Sequence, residues 1–507
     1  MTAAAPLQPL LAWAFGAACL VLHLFANPHY GVFRDELYFI VCGLHPALGY
    51  VDQPPLVPLL AAASFKLFGT ALTPLRLPPA LAMAAMVMLT VRFARRLGGG
   101  LFAQALAGLS VLLAPVLLVD GLLLFTDLLQ PLSWLAAAYL LTRIADGGSP
   151  KLWLALGAVV GVSLWSKYLI LFYLVGLAAG VLATPLRRTL ATPWPWAGAA
   201  LALAIIAPNL FWQAAHGFPF LEVAAAGAGG KNLVLSPLGF FAQQLLFLGP
   251  LSAPVWIAGL VWLAAARDVP AGRALAIAYV VTAALFLFGH GKAYYLAPAY
   301  PALFAAGGVF WERALRWRRA RRGALIAIGI SGLLAAPTVL PVLPPDKLIA
   351  YTRALGLSPQ ASATENLAQA ALPQHLADMF GWPEMAAEVA RVYLALPEGE
   401  RAKAVFLGRN YGEAAALDVY GPALGGPPAI SGHNQYYLWG PLGFDGSVMI
   451  ALDAQRPKGA GFFKTVEVAG RVENPYALPF ETNLNIYVLR GPKRPLAEIW
   501  PALKHYE

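Results

Sequence analysis

Charged side chains crowd residues 33–58, directly after the first apolar stretch of the chain: Arg34, Asp35, Glu36 and Asp52. Only 12% of the 507 residues are charged and 59% are hydrophobic, so acids beside an apolar stretch are costly unless they are paired or hydrated. A carboxylate in such a place suits proton abstraction from a hydroxyl group or the binding of a divalent cation. A solvated loop is the alternative interpretation of the same acids.

Later connections between apolar segments supply matching polar side chains: Asp120 and Asp127, then Lys167 and Tyr168, then Lys292, Tyr294 and Tyr295. Taken singly, the lysines could reach the interface as snorkelling side chains, and the tyrosines could form part of an aromatic belt. Taken together, lysines suit a phosphate, carboxylates a proton or cation, and aromatic faces a sugar ring. The set fits sugar transfer from a lipid-linked phosphosugar, since a phosphate leaving group needs cationic stabilisation and no general acid.

The elements that carry these residues are predicted to be membrane helices. The mean hydropathy is +0.64, and several apolar runs reach the length of about 20 residues that a span needs. We predict about eleven spans, near residues 9–26, 73–93, 101–119, 124–142, 151–166, 168–184, 196–213, 238–264, 273–289, 295–311 and 323–342. Residues 1–9 contain no Lys or Arg, which favours a retained helix over a signal peptide. The two cysteines indicate neither a disulfide framework nor a zinc ribbon.

Basic residues are concentrated in alternate connections and are scattered singly in the others. By the positive-inside rule, the N-terminus and the basic connections are cytoplasmic, and the first outer loop (27–72) and the C-terminal third are outside. The arginine-rich segment 313–322 could instead bind anionic lipid or nucleic acid, but a topology signal is the favoured interpretation. We therefore expect a multi-pass protein of a bacterial inner membrane that contacts membrane lipid and no nucleic acid.

The composition changes after about residue 344, where acids become common and the periodicities shorten. The pattern predicts one or two amphipathic helices, a short helix and several strands, at residues 366–396, at 413–419 and at 404–407, 447–452, 465–468 and 485–489. The predicted fold is therefore mostly α, a polytopic membrane domain (1–343) followed by a soluble α/β domain (344–507) on the outer, periplasmic face. No internal repeat of the inverted-repeat transporter type is found.

The chain resembles the GT-C membrane glycosyltransferases of the protein O-mannosyltransferase and lipid A aminoarabinose transferase superfamily over most of its length. The resemblance rests on the motifs RDELY, GYVDQPPLVPLL, FTDLL, SLWSKY, APNLFWQ and HGKAYYLAPAYPAL, and on NYGEAAALDVYG and SGHNQYYLWGP in the C-terminal part. It implies a GT-C fold and a polyprenyl-phosphate sugar as donor. The expected reaction inverts the anomeric carbon and gives the sugar to a lipid, glycan or protein acceptor.

The resemblance also implies roles for individual residues. Asp35 would be the catalytic base or orient the acceptor, with Glu36 in support. Asp127 would join Asp35 in the active site, and the two are the expected ligands if a divalent cation, Mg²⁺ or Mn²⁺, takes part. The remaining candidates would bind the substrate or its phosphate: Arg34, Asp52, Gln53, Lys167, Tyr168, Lys292, Tyr294, Tyr295, His433 and Asn434.

One departure from the family pattern concerns Asp52-Gln53, which stands where the aminoarabinose transferases carry Glu-Lys. The missing lysine removes a phosphate contact, which Lys167 or Lys292 could supply, and it puts transfer of that enzyme's own sugar in doubt. A lipid-linked sugar flippase or other transporter is the alternative function, and it would need a site near the midplane that both faces can reach. A binding or scaffold protein that has lost activity is a third interpretation. The sugar and the acceptor stay open.

Overall fold

The computed structural model describes residues 7–507 and is mostly helical. The predicted cytoplasmic N-terminus, residues 1–6, lies outside the described residues. The helices are α1 (Leu7–Ala26), α2 (Arg34–Leu44), α3 (Leu56–Phe68), α4 (Leu72–Leu75), α5 (Leu77–Arg96), α6 (Leu101–Leu112), α7 (Pro115–Leu122), α8 (Gln130–Ala145), α9 (Leu152–Leu164), α10 (Ile170–Leu182), α11 (Pro193–Ala215), α12 (Pro219–Ala226), α13 (Pro237–Leu248), α14 (Ala253–Ala265), α15 (Gly272–Phe288), α16 (Tyr300–Ala314), α17 (Arg318–Ala335), α18 (Pro345–Ala354), α19 (Gln374–Ala377), α20 (Trp382–Leu394), α21 (Glu398–Arg401), α22 (Tyr411–Leu424), α23 (Asn434–Trp439) and α24 (Leu496–Ile499). The strands are β1 (Ala404–Gly408), β2 (Ala429–Ser431), β3 (Val448–Asp453), β4 (Phe463–Val472) and β5 (Leu484–Pro492).

Internal contacts divide the chain into two compact units. The first unit contains the segment that ends at His29, together with Thr73–Phe211 and Asn232–Pro344. The second contains Tyr30–Leu72, Trp212–Lys231 and Pro345–Glu507. By packing, the predicted first outer loop therefore groups with the C-terminal part of the chain. The predicted boundary between residues 343 and 344 separates a membrane domain from a soluble domain. A division by packing does not test that boundary, so it stays a prediction.

Long apolar helices give the chain its membrane character. Among the described residues, α5 and α11 are long and apolar enough to cross a membrane unbroken. Three further pairs satisfy the same test together but bend at a break: α6 with α7 by 63°, α10 with the 3-10 turn Pro185–Ala191 by 102°, and α13 with α14 by 98°. A proline follows each break, at Pro115, Pro185 and Pro250, where it lacks the N–H that a continuous helix would use. The structure thus supports up to five spans, and the count of about eleven stays a prediction.

Glycines allow two helices of the first unit to approach closely. A Cβ atom on Gly307 of α16 would lie 1.9 Å from the carbonyl oxygen of Val255 in α14. In the same interface, a Cβ atom on Gly259 of α14 would lie 2.0 Å from the carbonyl oxygen of Leu303 in α16. Each helix therefore supplies the small residue that the backbone of the other requires, which is typical of helix pairs in membranes.

The second unit contains one five-stranded sheet with the order β2-β1-β3-β5-β4. Strands β2, β1 and β3 are parallel, and β5 pairs antiparallel with both β3 and β4. The predicted strands at 404–407, 447–452, 465–468 and 485–489 correspond to β1, β3, β4 and β5. The sequence analysis missed β2, because its three residues are too few to show an alternating pattern.

Two short connections carry polar residues at the carboxyl ends of the parallel strands. After β1, the side chain of Asn410 accepts hydrogen bonds from the backbone N–H groups of Gly412 (2.8 Å) and Glu413 (3.1 Å), which caps α22 and places Tyr411 in its first turn. After β2, Asn434 begins α23. The carboxyl ends of parallel strands are the edge at which α/β sheets bind ligands. This edge of the sheet therefore positions Tyr411 and Asn434 in the candidate active site.

Candidate active site

Helix α2 presents the acidic pair in its first turn. The Glu36 carboxylate is buried and accepts a hydrogen bond from the backbone N–H of Phe33 at 2.9 Å, which holds the start of the helix. Negative charge in a first helical turn is also stabilised by the helix dipole. Asp35 differs, since about 30% of its side chain is exposed. Of the pair, Asp35 is therefore the carboxylate that another molecule can reach.

Asp35 is held by two side chains. The Tyr411 hydroxyl donates a hydrogen bond to Oδ1 of Asp35 at 2.8 Å, and Nε of Arg34 lies 3.7 Å from the same oxygen. Burial and the nearby Asp35 carboxylate raise the pKa of Tyr411 well above its ordinary value, so the hydroxyl keeps its proton and remains a donor. The carboxylate is thus fixed on one side and open on the other.

Arg34 links Asp35 to a second, buried acid. Nη2 of Arg34 lies 3.5 Å from Oδ2 of Asp378, and the guanidinium carbon lies 5.8 Å from the centre of the Tyr411 ring. Burial raises the pKa of Asp378 from 3.8 to about 7, although the Arg34 charge opposes the shift. Arg34 therefore faces Asp35 and a buried acid that keeps its proton to a higher pH than an ordinary aspartate does.

Asp52 joins the same group through Tyr38. Its Oδ1 accepts a hydrogen bond from the Tyr38 hydroxyl at 2.8 Å, and its Oδ2 accepts one from Nδ2 of Asn434 at 3.1 Å. Burial raises the pKa of Asp52 to about 6, against the hydrogen bond from Tyr38. The rings of Tyr38 and Tyr411 stack with centroids 4.4 Å apart and planes at 27°. We call Arg34, Asp35, Tyr38, Asp52 and Tyr411 the Asp35 cluster.

His433 supports this cluster from the sheet. Its Nδ1 accepts a hydrogen bond from the backbone N–H of Tyr411 at 3.3 Å, and the two rings lie 4.6 Å apart. Burial lowers the pKa of His433 well below its ordinary value, which keeps the ring neutral and Nδ1 able to accept.

Gln53, predicted to bind the substrate or its phosphate, is 1% exposed, and its amide atoms have no hydrogen-bond partner within residues 7–507.

Side chains of the types that can bind a metal ion come together at one place in the described part of the chain. They are His433, His505 and Glu507, and the atoms that could bind an ion lie within 4.8 Å of one another. Neither predicted metal ligand, Asp35 or Asp127, belongs to this group. Nδ1 of His505 lies 2.9 Å from a backbone carbonyl oxygen, and Nε2 lies 3.1 Å from another. Since both ring nitrogens already contact carbonyl oxygens, His505 is poorly prepared to bind a cation.

The first unit contains a separate group of predicted site residues. Asp127 lies in the 3-10 turn Thr126–Leu129 and is only 4% exposed, and Nζ of Lys167 lies 2.7 Å from its Oδ2. The Lys167 ammonium also lies 4.7 Å from the centre of the Tyr295 ring. Nε2 of Gln130 donates to the carbonyl oxygen of Lys167 at 3.2 Å, which fixes the backbone there. Buried Asp127 and partly buried Lys167 thus form an ion pair against an aromatic face.

Other predicted residues surround this pair within the first unit. Tyr294 and Tyr295 meet edge to face with centroids 4.8 Å apart, and Nζ of Lys292 lies 5.9 Å from the centre of the Tyr294 ring. Tyr168 donates from its hydroxyl to Oδ1 of Asn209 at 2.5 Å. Lysines and aromatic rings are therefore gathered beside Asp127, as the sequence analysis expects of a phosphate and sugar site.

The structure thus sorts the predicted residues into two groups. Arg34, Asp35, Asp52, His433 and Asn434 lie together in the second unit. Asp127, Lys167, Lys292, Tyr294 and Tyr295 lie in the first, so the joint role of Asp35 and Asp127 stays a prediction. The sequence analysis missed Tyr38 and Asp378. In the sequence, Tyr38 stands among the apolar residues of α2. Asp378 is one of many acids in the C-terminal part, and nothing in its own segment distinguishes it.

A family model matches part of the chain that includes residues of both groups. Residues 52–212, which include Asp52, Asp127 and Lys167, match the family described as dolichyl-phosphate-mannose-protein mannosyltransferase. The chain is 27% identical over 225 residues to the lipid A galacturonosyltransferase RgtD of Rhizobium johnstonii, which is 43% of this chain and 47% of that protein. The match thus spans about half the length of that relative.

Solved structures match over nearly the whole chain. ArnT from Cupriavidus metallidurans bound to undecaprenyl phosphate superposes with a TM-score of 0.58 at 15% identity, over 96% of this chain and all of that one. The arabinofuranosyltransferase AftD from Mycobacteria gives a TM-score of 0.52 at 14% identity, over 97% of this chain and 40% of that one. The chain has the GT-C fold. The resemblance predicted from the motifs is thereby confirmed, since the proteins to which the chain is similar are named as glycosyltransferases.

Proposed function

We propose that the chain is an integral membrane glycosyltransferase that moves a sugar from a polyprenyl phosphate to a lipid, glycan or protein acceptor. The observation that carries the proposal is the partly exposed Asp35 carboxylate, which the Tyr411 hydroxyl orients at the carboxyl ends of the parallel strands. The undecaprenyl phosphate bound to ArnT supports a donor of that class, and the lipid A specificity in the name of RgtD makes a lipid the first acceptor to test.

In the proposed reaction, Asp35 removes the proton of an acceptor hydroxyl as its oxygen attacks the anomeric carbon. The bond from that carbon to the phosphate oxygen breaks, and the electron pair leaves with the polyprenyl phosphate. Three cations are predicted to stabilise the negative charge on the departing phosphate: Lys167, which pairs with Asp127, Lys292 and Arg34. A single displacement inverts the anomeric carbon. For a phosphate acceptor, which is already ionised, Asp35 orients the nucleophile.

A divalent cation on Asp35 and Asp127 was expected if a metal takes part. The surroundings of both carboxylates fit a cation poorly. Lys167 is 2.7 Å from Asp127, and Arg34 is 3.7 Å from Asp35, so each acid already has a positive neighbour. We therefore derive no step through a metal, and transfer that persists with a chelator present is the expected result.

We further propose that the reaction takes place on the outer face of a bacterial inner membrane. The support is the arginine-rich connections, which by the positive-inside rule are cytoplasmic and contain neither Asp35 nor Lys167. Cysteines introduced at exposed Asp445 and at exposed Arg188 test this orientation. A membrane-impermeant thiol reagent applied to intact spheroplasts should label the first and not the second.

The activity test uses purified protein in detergent, a panel of polyprenyl-phosphate sugars labelled in the sugar, and a membrane lipid extract as acceptor. Wild type should move label to a new product, Asp35→Asn should lose at least about 100-fold in rate, and Glu388→Gln, on an exposed face of α20, should match wild type. Equal transfer by Asp35→Asn and wild type would remove Asp35 from the mechanism. Retained configuration at the anomeric carbon, read by NMR, would exclude direct displacement.

The transporter alternative makes an opposite prediction. A flippase would transfer no label from any donor and would move fluorescent lipid-linked sugar between the leaflets of liposomes. That pair of results would replace the proposed function.

A further inference from the structure

A groove on the first unit contributes no residue to either group of site residues described above. Helices α1, α6 and α17 line it, and its volume is about 790 Å³. Its walls include Leu10 of α1 and Ala105 of α6, and α17 contributes Arg318, Arg321 and Arg322. We call it the basic groove.

The charged and apolar parts of the basic groove are separated along α17. Arg318, Arg321, Arg322 and Leu325 stand at positions i, i+3, i+4 and i+7, so they share one face of the helix. The arginines occupy the first turns, and Leu325 follows one turn later. A ligand lying along this face would meet positive charge at the helix start and hydrocarbon beyond it.

Arg321 is the fixed member of the arginine set. Its Nε donates to the carbonyl oxygen of Leu315 at 2.8 Å, and its Nη2 donates to that of Glu312 at 2.6 Å. The guanidinium carbon lies 5.3 Å from the centre of the Phe102 ring, which lines the groove on α6. Arg321 therefore adds an immobile positive charge to the groove wall.

The other two arginines are exposed and uncompensated. In the part of the chain that the structure describes, neither Arg318 nor Arg322 has an ion pair. The nearby acid Glu312 is already used, because its carboxylate accepts hydrogen bonds from the backbone N–H groups of Gly100 and Phe102 at the start of α6. Among residues 7–507, no acid therefore forms an ion pair with the two exposed arginines of the groove.

We propose that the basic groove binds one anionic phospholipid. Its phosphate would contact Arg318 and Arg322, because a guanidinium group can donate two parallel hydrogen bonds to phosphate oxygens. An acyl chain would lie on the apolar walls between α1 and α6. Exposed Trp317, directly before α17, suits the level of the lipid headgroups. A soluble anion would use the arginines but leave the apolar walls in water, so the shape of the groove favours a lipid over a free anion.

The test measures lipid binding and does not depend on glycosyl transfer. Purified protein in detergent is titrated with dioleoyl phosphatidylglycerol and dioleoyl phosphatidylethanolamine in equal amounts, and bound lipid is counted by native mass spectrometry. Wild type should retain the anionic lipid preferentially. The double variant Arg318→Gln/Arg322→Gln should weaken binding of the anionic lipid about 10- to 30-fold, because each of the two arginines near the lipid headgroups contributes about 3- to 5-fold to the affinity.

Two further variants separate the basic groove from general charge. Arg187→Gln/Arg188→Gln removes the same charge from another exposed arginine pair, outside the groove, and should bind like wild type. Ala105→Phe keeps every charge and narrows the groove, and it should also weaken binding of the anionic lipid. Thermal melting confirms that each variant is folded.

Three results would overturn the proposal. The first is wild-type lipid binding by both groove variants. The second is an equal loss in the Arg187→Gln/Arg188→Gln control, which would mean that net charge alone attracts the lipid. The third is displacement of the lipid by equimolar glycerol 3-phosphate, which would identify the groove as a site for a free anion.

Discussion

Replacing Tyr411 with phenylalanine isolates one hydrogen bond of the candidate site. The substitution removes the hydroxyl that lies 2.8 Å from Oδ1 of Asp35 and keeps the ring that stacks on Tyr38. Tyr411 is buried and phenylalanine has nearly the same shape, so the packing of α22 should survive. The change therefore tests the orientation of Asp35 rather than the fold.

The size of the effect follows from the environment of Asp35. A hydrogen bond to a charged group contributes about 1.5–3 kcal/mol, and water can replace part of it because about 30% of the Asp35 side chain is exposed. A net loss of about 1–2 kcal/mol in the transition state corresponds to a fall in kcat of about 5- to 30-fold. Asp35→Asn should lose about 10²- to 10⁴-fold, the ordinary contribution of a general base.

The split between kcat and KM distinguishes positioning from structural damage. The Tyr411 hydroxyl orients the carboxylate that acts on the acceptor, so Tyr411→Phe should lower kcat and leave the KM for the donor near its wild-type value.

The matched control is Tyr476→Phe, which also breaks a hydrogen bond from tyrosine to aspartate, at 3.0 Å to exposed Asp346. A wild-type kcat in Tyr411→Phe, or an equal loss in the control, would refute the positioning of Asp35 by Tyr411.

Three further predictions concern stability, measured as thermal melting in detergent. Asp127→Asn leaves the partly buried Lys167 ammonium without this carboxylate and should lower the free energy of unfolding by about 1.5–3 kcal/mol; an unchanged melting temperature would contradict the ion pair. Because burial raises the pKa of Asp378 from 3.8 to about 7, the folded state binds more protons than the unfolded state between these values. Stability should therefore decline as pH rises through this window, and Asp378→Asn should flatten the decline, whereas parallel curves would show that this acid does not contribute. Gly307→Ala should lower the melting temperature, because its Cβ would meet a backbone oxygen at 1.9 Å, whereas Gly323→Ala has nothing within 4 Å and should not; equal effects would refute the close approach.

Residues that break the local pattern of the sequence could be predicted. Asp35, Asp127 and Lys167 stand out because a charge inside apolar sequence is expensive, and all three have specific partners in the structure. The strands β1, β3, β4 and β5 were predictable for a related reason, since alternation over several residues is a local signal. The pairing of Lys167 with Asp127 was not predicted, because no local feature indicates which acid a lysine will meet.

Contacts between distant residues could not be predicted in this way. The stacking of Tyr38 on Tyr411 joins a helix near the start of the chain to one in its C-terminal part, and neither tyrosine is unusual in its own segment. Gln53 shows the opposite case, since the family resemblance suggested a contact with the substrate or its phosphate and the structure buries the side chain. Burial depends on which segments cover a residue, and a single sequence does not supply that information.

The Asp35 cluster gives the C-terminal sheet a reason to be part of the same compact unit as residues 30–72. Two acids in one short segment repel each other and each needs a donor. The edge of the sheet supplies Tyr411 to Asp35 and Asn434 to Asp52. The two donors stand at the starts of α22 and α23, the helices that follow the neighbouring parallel strands β1 and β2, so the register of these strands sets the distance between the donors. A substitution that shifts β2 relative to β1 should therefore disturb the hydrogen bonds of both carboxylates, although the substituted residue is neither of the two aspartates.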